Sequence, residues 1–363
     1  MNASAGWRLE RGAAPWWLRG LIPVLAILIT FLLTAALLGV VPANPFRAFY
    51  AMLIEPLSTP VSALEVLVSA TPLLLTGAAV LFAFRGGYYN IGAEGQLYAG
   101  ALAAAWIGQL PLAFTLPAPI VISLMLLGSF AAGMLWALLP ALLRTRWSVD
   151  EVVTTLLLNA VMSYLISAIL QGPWRDPVTF WPQSPLLAPA AQYPVLVSDS
   201  RVHFGLLVGL AVLVALWWVI ARTAFGLRLR AVGLNRQAAS FMGVDAARTV
   251  LIAALVSGGI AGLAGMGEVA GIHHRLLEDI SANFGYSGIV VATLGALNPF
   301  GAGLAAGFIA LIDVGGQSVS QEMGVPTFLA DVVQATLLLT TLALLLLNSY
   351  RLRTRSAAPW TKR

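Results

Sequence analysis

The sequence has no cysteine and a single lysine, Lys362. The first absence excludes a disulfide framework and a thiolate metal site. The second excludes a P-loop, which needs a lysine beside its glycines to hold nucleotide phosphates. The chain therefore does not bind and hydrolyse ATP by that route. Charge is scarce as well: 10% of the 363 residues are Asp, Glu, Lys or Arg, whereas 59% are hydrophobic. A soluble domain carries about 25% charged residues to solvate its surface, so the surplus apolar surface here has to face lipid. There is no HExxH, no Ser/His/Asp constellation and no stacked carboxylate pair within one apolar run, so nothing argues for an enzyme. The net charge of +5 is distributed as a membrane protein distributes it, not as a nucleic-acid footprint.

What is abundant is long apolar sequence. A helix needs about 20 mostly apolar residues to cross the hydrocarbon. That rule predicts an all-α, polytopic bundle of about ten spans: 21–41, 61–84, 92–110, 119–143, 150–171, 204–221, 249–270, 284–297, 301–315 and 327–348. Pro111, Pro117 and Pro119 split one long uncharged interval, and Asn298-Pro299-Phe300-Gly301 makes a turn in another. The first run is too long for a signal-peptide core and no small-x-small cleavage site ends it, so it reads as an uncleaved span. Basic residues stay in cytoplasmic loops. With both termini cytoplasmic, 16 basic residues fall inside and four (Arg47, Arg175, Arg201, Arg275) outside. The chain then divides into a cytoplasmic segment 1–20, a transmembrane domain 21–348 and a basic tail 349–363. An outer loop, 172–203, is rich in Pro and Trp and reads as an ordered cap. An inner loop, 222–248, is the longest on its side.

Two segments concentrate unusual residues. In the inner loop, Asn235 is a good N-cap, Arg236 to Met242 make two turns of helix, and Gly243 is a stop. So short a helix is not stable alone in water, and Phe241 and Met242 stay exposed at the membrane surface unless a partner covers them; a plain basic loop lying on lipid headgroups is the simpler alternative. The second segment, Arg85-Gly-Gly-Tyr-Tyr-Asn-Ile-Gly-Ala-Glu-Gly-Gln-Leu97, places a carboxylate and two amides at the start of a span, where polar groups are costly and mark function by default. Asn90 as a cap with Glu94 in the first turn is the bland alternative. Asp150 and Glu151 beside Arg146 read as caps and interfacial charges. Asn159, Asp313 and Gln334 line a path or bond helix to helix. The pairs Gly258/Gly262, Gly267/Gly271 and Gly303/Gly307 have the spacing of close helix packing. His273 and His274 with Glu278 and Asp279 imitate a metal site, but adjacent histidines point to different faces.

Phe84-Arg-Gly-Gly-Tyr-Tyr-Asn-Ile-Gly-Ala-Glu-Gly-Gln96 resembles the signature of permeases of the branched-chain amino acid/simple sugar/nucleoside family of ATP-binding-cassette importers, closest to the nucleoside type. Tyr89 stands where phenylalanine is usual. Gly226 to Gly243 resembles the family's coupling loop, and Ser257–Gly265 and Gly288–Gly301 also fit. Residues before Trp16 match nothing in it. The resemblance implies an all-helical permease in the bacterial cytoplasmic (inner) membrane, without a cofactor of its own. It implies a second permease chain, identical or different, cytoplasmic ATPase subunits that bind the ATP, and an extracytoplasmic binding protein or lipoprotein that delivers the solute. The coupling role carries over to Arg228, Arg230, Gly233, Asn235, Ala238, Ala239 and Gly243. The translocation-path signature carries over to Asn90, Gly92, Glu94, Gly95 and Gln96, with Asn159 beside them. Alternating access for nucleosides or related simple sugars is then the expected mechanism, with a ribose-type sugar or a branched-chain amino acid as the alternative solute. An ion-coupled secondary transporter is a weaker rival, because most acidic residues fall near span ends.

Overall fold

The computed structural model describes residues 7–11, 16–38, 44–324 and 328–354. A short antiparallel ribbon pairs β1 (Trp7–Arg11) with β2 (Tyr350–Thr354), so the two ends of the described chain meet. Between them the chain is helical, since apolar backbone away from water must satisfy its own N–H and C=O groups. In order the helices are α1 (Trp16–Leu38), α2 (Pro45–Leu53), α3 (Pro60–Arg85), α4 (Ala93–Gln109), α5 (Ala118–Trp147), α6 (Glu151–Gln171) and α7 (Gly205–Arg222). They continue with α8 (Ala224–Leu234), α9 (Arg236–Phe241), α10 (Ala246–Gly267), α11 (Phe284–Leu294), α12 (Pro299–Met323) and α13 (Leu329–Ser349).

Among the described residues, six helices have the length and apolarity to cross a bilayer: α3, α5, α6, α7, α10 with a π-helical extension to His273, and α12. The expected spans 21–41 and 327–348 fall on α1 and α13, helices of 23 and 21 residues, and the others come out shorter or differently divided. The pair anticipated at 284–297 and 301–315 is unequal. α11 has 11 residues, about 16 Å at 1.5 Å per residue, or half the hydrocarbon. α12 takes 25 residues and runs on to Met323. Its start is where the turn sequence put it, with Asn298 Oδ1 accepting from the Phe300 N–H at 3.0 Å. α4 has 17 residues, about 25 Å. α2 and α8 lie in stretches read as loops, because neither is long or apolar enough to register as a span.

α3 is buried on every side from Ala70 to Ala83 and lies among α7, α10, α11 and α12. α10 runs beside it and is covered in turn by α4 and α5. The Gly258/Gly262 seam lets these backbones touch: a Cβ on Gly262 would lie 2.3 Å from the Ser129 carbonyl oxygen, and one on Gly100 2.1 Å from the Gly262 oxygen. The other expected seams differ. A Cβ on Gly267 or Gly307 would meet nothing within 4 Å. Spacing permits close approach, but a facing partner decides it.

The 172–203 segment is ordered, as expected. It is tied to the segment after α10 by Leu187 N–H to His274 O and Tyr193 N–H to Ala270 O, both 2.9 Å. The opposite end of the bundle carries Arg85, Arg144, Arg146 and Arg222 and is called the basic end below.

Candidate functional site

Seven residues, 86–92, break the helical path between α3 and α4. Away from water such backbone is tolerated only where protein satisfies it, and here side chains do so. Asn90 Nδ2 donates to Gln96 Oε1 (2.8 Å) and to Ser257 Oγ on α10 (2.9 Å), while Gln96 Nε2 donates back to Asn90 Oδ1 (3.1 Å). Ser257 Oγ in turn donates to the Ala79 carbonyl of α3 at 2.6 Å. Asn90 Oδ1 also accepts from the Gly92 N–H at 3.0 Å. The two amides thus close on each other and pin the segment to α3 and α10.

Asn159, on α6, closes the other side. Its Oδ1 accepts from the Gly95 N–H (2.9 Å), and its Nδ2 donates to the Ile91 carbonyl (2.9 Å) and to the Tyr286 hydroxyl (3.1 Å). Glu94 reaches the first turn of α11, where the Gly285 N–H donates to its Oε2 at 2.7 Å. One carboxylate therefore sits at the N-terminal ends of two helices, α4 and the half-length α11, where both dipoles favour it. The fit demands glycine: a Cβ on Gly285 would stand 2.2 Å from the Glu94 nitrogen.

The structure so brings together all six expected path residues, Asn90, Gly92, Glu94, Gly95, Gln96 and Asn159, as one buried knot. One expectation is corrected. α4 starts with Gly92 in the cap position, without a side-chain cap bond; Asn90 stitches three helices instead of capping one. The expected capping at α6 does hold, since Asp150 Oδ1 accepts from the Val152 N–H at 2.8 Å. Its neighbour Glu151 pairs with Arg144 at 2.9 Å.

Toward the basic end lies the second segment. The 222–248 stretch is two helices, not a loop. Thr223 caps α8 through the Gly226 N–H (3.1 Å), and Asn235 caps α9 through the Ala238 N–H (3.0 Å). Gly243 has φ +80°, the left-handed stop expected of it. α9 ends at Phe241, one residue short of the expected two turns. Phe241 is 92% and Met242 85% exposed. Arg228, Arg230, Gly233, Asn235 and Ala238 are exposed too. Ala239 is not: it is buried in a small apolar cluster with Tyr88, Ala83, Ala141, Val232 and Ala254. It roots α9 in the bundle. Gly233 is likewise pressed on α3, where a Cβ would lie 2.1 Å from the Arg85 carbonyl oxygen.

The cluster that holds Ala239 contains Tyr88, two residues before Asn90. The two segments thus meet in one apolar cluster, beside the contact of Gly233 with Arg85. Residues 62–342 match the family described as "Branched-chain amino acid transport system / permease component". The chain belongs to that family. It is a multi-pass membrane permease component of the ATP-binding-cassette class.

Three curated relatives are similar to the permease. The glucose ABC transporter permease protein TsgB13 of Haloferax volcanii is 36% identical over 91% of this chain and 88% of its own length. The guanosine ABC transporter permease protein NupP of Bacillus subtilis is 35% identical over 76% of this chain and 79% of its own. The nucleoside ABC transporter permease protein NupB of Lactococcus lactis is 27% identical over 88% and 89%.

Sequence reasoning missed three polar partners in the permease, namely Ser257, Tyr286 and Gly285. They lie 127 to 191 residues from the side chains they bond. In the stretch that imitates a metal site, Glu278 Oε1 accepts from Ser167 Oγ (3.0 Å) and Gln171 Nε2 (2.9 Å).

Proposed function

We propose that the chain is the translocating subunit of an ATP-driven importer of nucleosides, working by alternating access beside a second permease chain. The observation that carries the ATP-driven part is α9: an apolar tip of Phe241 and Met242 held in the open by a buried foot, Ala239. Exposed large apolar groups of this kind mark protein contacts, and a cytoplasmic ATPase subunit is the partner proposed for it. ATP binding on that subunit would displace α9, and Tyr88 would pass the movement to the 86–92 segment. The six knot residues are paired with one another in this conformation, so their proposed part in translocation is to exchange partners when the path opens. Affinity would come mainly from an extracytoplasmic binding protein.

The names of two relatives support the nucleoside reading. The third, a glucose permease by name, favours a second reading in which the solute is a simple sugar. Uptake of radiolabelled guanosine, ribose and glucose into cells with and without this gene separates them. Loss of guanosine uptake that neither sugar competes away is expected. Loss confined to a sugar moves the solute to that class, and unchanged uptake of all three removes the proposal. For the coupling part, an Asn235→Pro, Ala238→Arg variant that reaches the membrane should lose uptake; normal uptake would overturn it.

A further inference from the structure

Away from the knot, between α3, α12, α13 and the start of α11, the bundle holds a cavity of about 480 Å³. That is the size of a site for one small solute. Its lining is polar for a membrane protein: Ser69, Asp313, Gln317, Gln321 and Asp331, with the ring of Phe284. Asp313, Gln317 and Gln321 recur every four residues, so they form one stripe along α12. An apolar helix carries such a stripe at a cost, and stripes of this kind mark solute pathways.

The hydrogen bonds show what the cavity is set up to do. Ser287 Oγ donates to Gln334 Oε1 at 2.7 Å, and Gln334 Nε2 donates to Asp313 Oδ1. This chain fixes the Asp313 carboxyl and leaves its second oxygen open. Among the described residues neither Asp313 nor Asp331 has a basic partner. Among the described residues no hydrogen bond involves the exposed Asp331 carboxylate. The cavity thus offers unspent acceptors, two amides that both donate and accept, and an aromatic face. A cationic solute would need no amides, and an apolar one no carboxylates. A ring bearing adjacent hydroxyls uses all three: vicinal O–H groups donate to a carboxylate, an amide bridges them, and the C–H face rests on the ring of Phe284.

We infer that this cavity is a solute site of the permease that reads the hydroxyl pair of a sugar ring, on Asp313, Asp331 and Gln317, and does not read a nucleobase. The inference rests on the function proposed above and narrows it, since ribose in a nucleoside and free glucose share that diol. It accounts for relatives of this chain bearing the names of both solutes.

The absence of cysteine supplies the test. Gln321→Cys puts the chain's sole thiol on an exposed stretch of the cavity wall without touching the three reading residues, and Ser320→Cys is a second position should the first variant fail to fold. Labelling of that thiol by a membrane-impermeant maleimide is followed in vesicles holding the complete transporter. Guanosine and glucose should each slow labelling severalfold, and 2′,3′-dideoxyguanosine at the same concentration should not. In parallel, adding Asp331→Asn to that variant should raise the guanosine concentration needed for half-protection about 10- to 100-fold, the loss of a hydrogen bond to a charged group. Guanosine uptake with no protection overturns the site and leaves the proposed function standing. Protection by the diols without guanosine uptake supports the site and removes nucleoside import. Protection equal for the dideoxy compound, or by a cation alone, overturns the diol reading.

Discussion

The bundle contains two polar regions built on opposite plans. In the knot, Asn90, Gln96, Asn159 and Ser257 spend their hydrogen-bonding capacity on one another and on backbone. In the cavity beside α12 and α13, the described residues leave one oxygen of Asp313 free and both of the exposed Asp331. Polar groups in a dry interior cost free energy unless paired. The knot meets that condition from within and works as structure in this state, whereas the cavity is open for water or a solute to meet it. Polarity does not by itself distinguish a site from a joint; burial and unspent bonds together do.

The contrast breaks most easily at Asn90. Asn90→Leu strands the Gln96 amide and the Gly92 N–H, each costing about 1–3 kcal/mol when buried without a partner, while Ser257 keeps its bond to Ala79. We expect a loss of about 2–6 kcal/mol, read as a lowered melting temperature of the solubilised transporter. Asp331→Asn, by contrast, should change stability by less than about 0.5 kcal/mol. Equal losses for the two variants would erase the distinction.

A group between the two extremes sharpens it. His203, ahead of α7, is buried with Nδ1 accepting from the Gly205 N–H at 3.1 Å and Nε2 unpaired. Burial, with His274 nearby, pushes its imidazole down to about 4. The unfolded chain, with a histidine near 6.5, then takes up the proton first. Stability from this residue is complete above pH 6.5 and falls as pH drops toward 4, by about 1.4 kcal/mol at pH 5.5. His203→Leu should flatten that slope in a thermal-shift series. At the coupling end, Asn235→Ala removes one exposed cap and should cost about 1 kcal/mol. Most of that should appear as faster hydrogen exchange within α9, with the knot undisturbed. The smallest effect belongs to Tyr88, whose hydroxyl is buried without a partner. Tyr88→Phe should leave the melting temperature unchanged or raise it slightly.

These regions also differ in how far they could be read in advance. The cap at Asn235 and the stop at Gly243 were legible because both act within four residues. The signature segment was legible as polar, but not as a knot: its partners come from α6, α10 and α11, and nothing local in Asn90 names Ser257. The cavity was half legible. Asp313 and Gln334 bond helix to helix as anticipated, yet the stripe with Gln317 and Gln321 gains its meaning only when α13 folds back beside it. Span length failed at α11 because the rule counts a whole bilayer, and a half-length helix gains its place from the protein around it.

One contact near the basic end marks where the helical ladder stops. Because Gly233 rests on the carbonyl of Arg85 with no room for a methyl group, α8 is seated on the last turn of α3, and Ala239 seats α9 in the same neighbourhood. The seven residues from Gly86 to Gly92 leave that seat without a helical ladder, so their course is set by the side chains that grip them, Asn90 and Asn159 foremost. This strap is a splice in the rigger's sense: its shape lives in its lashings, and untying one slackens the whole length.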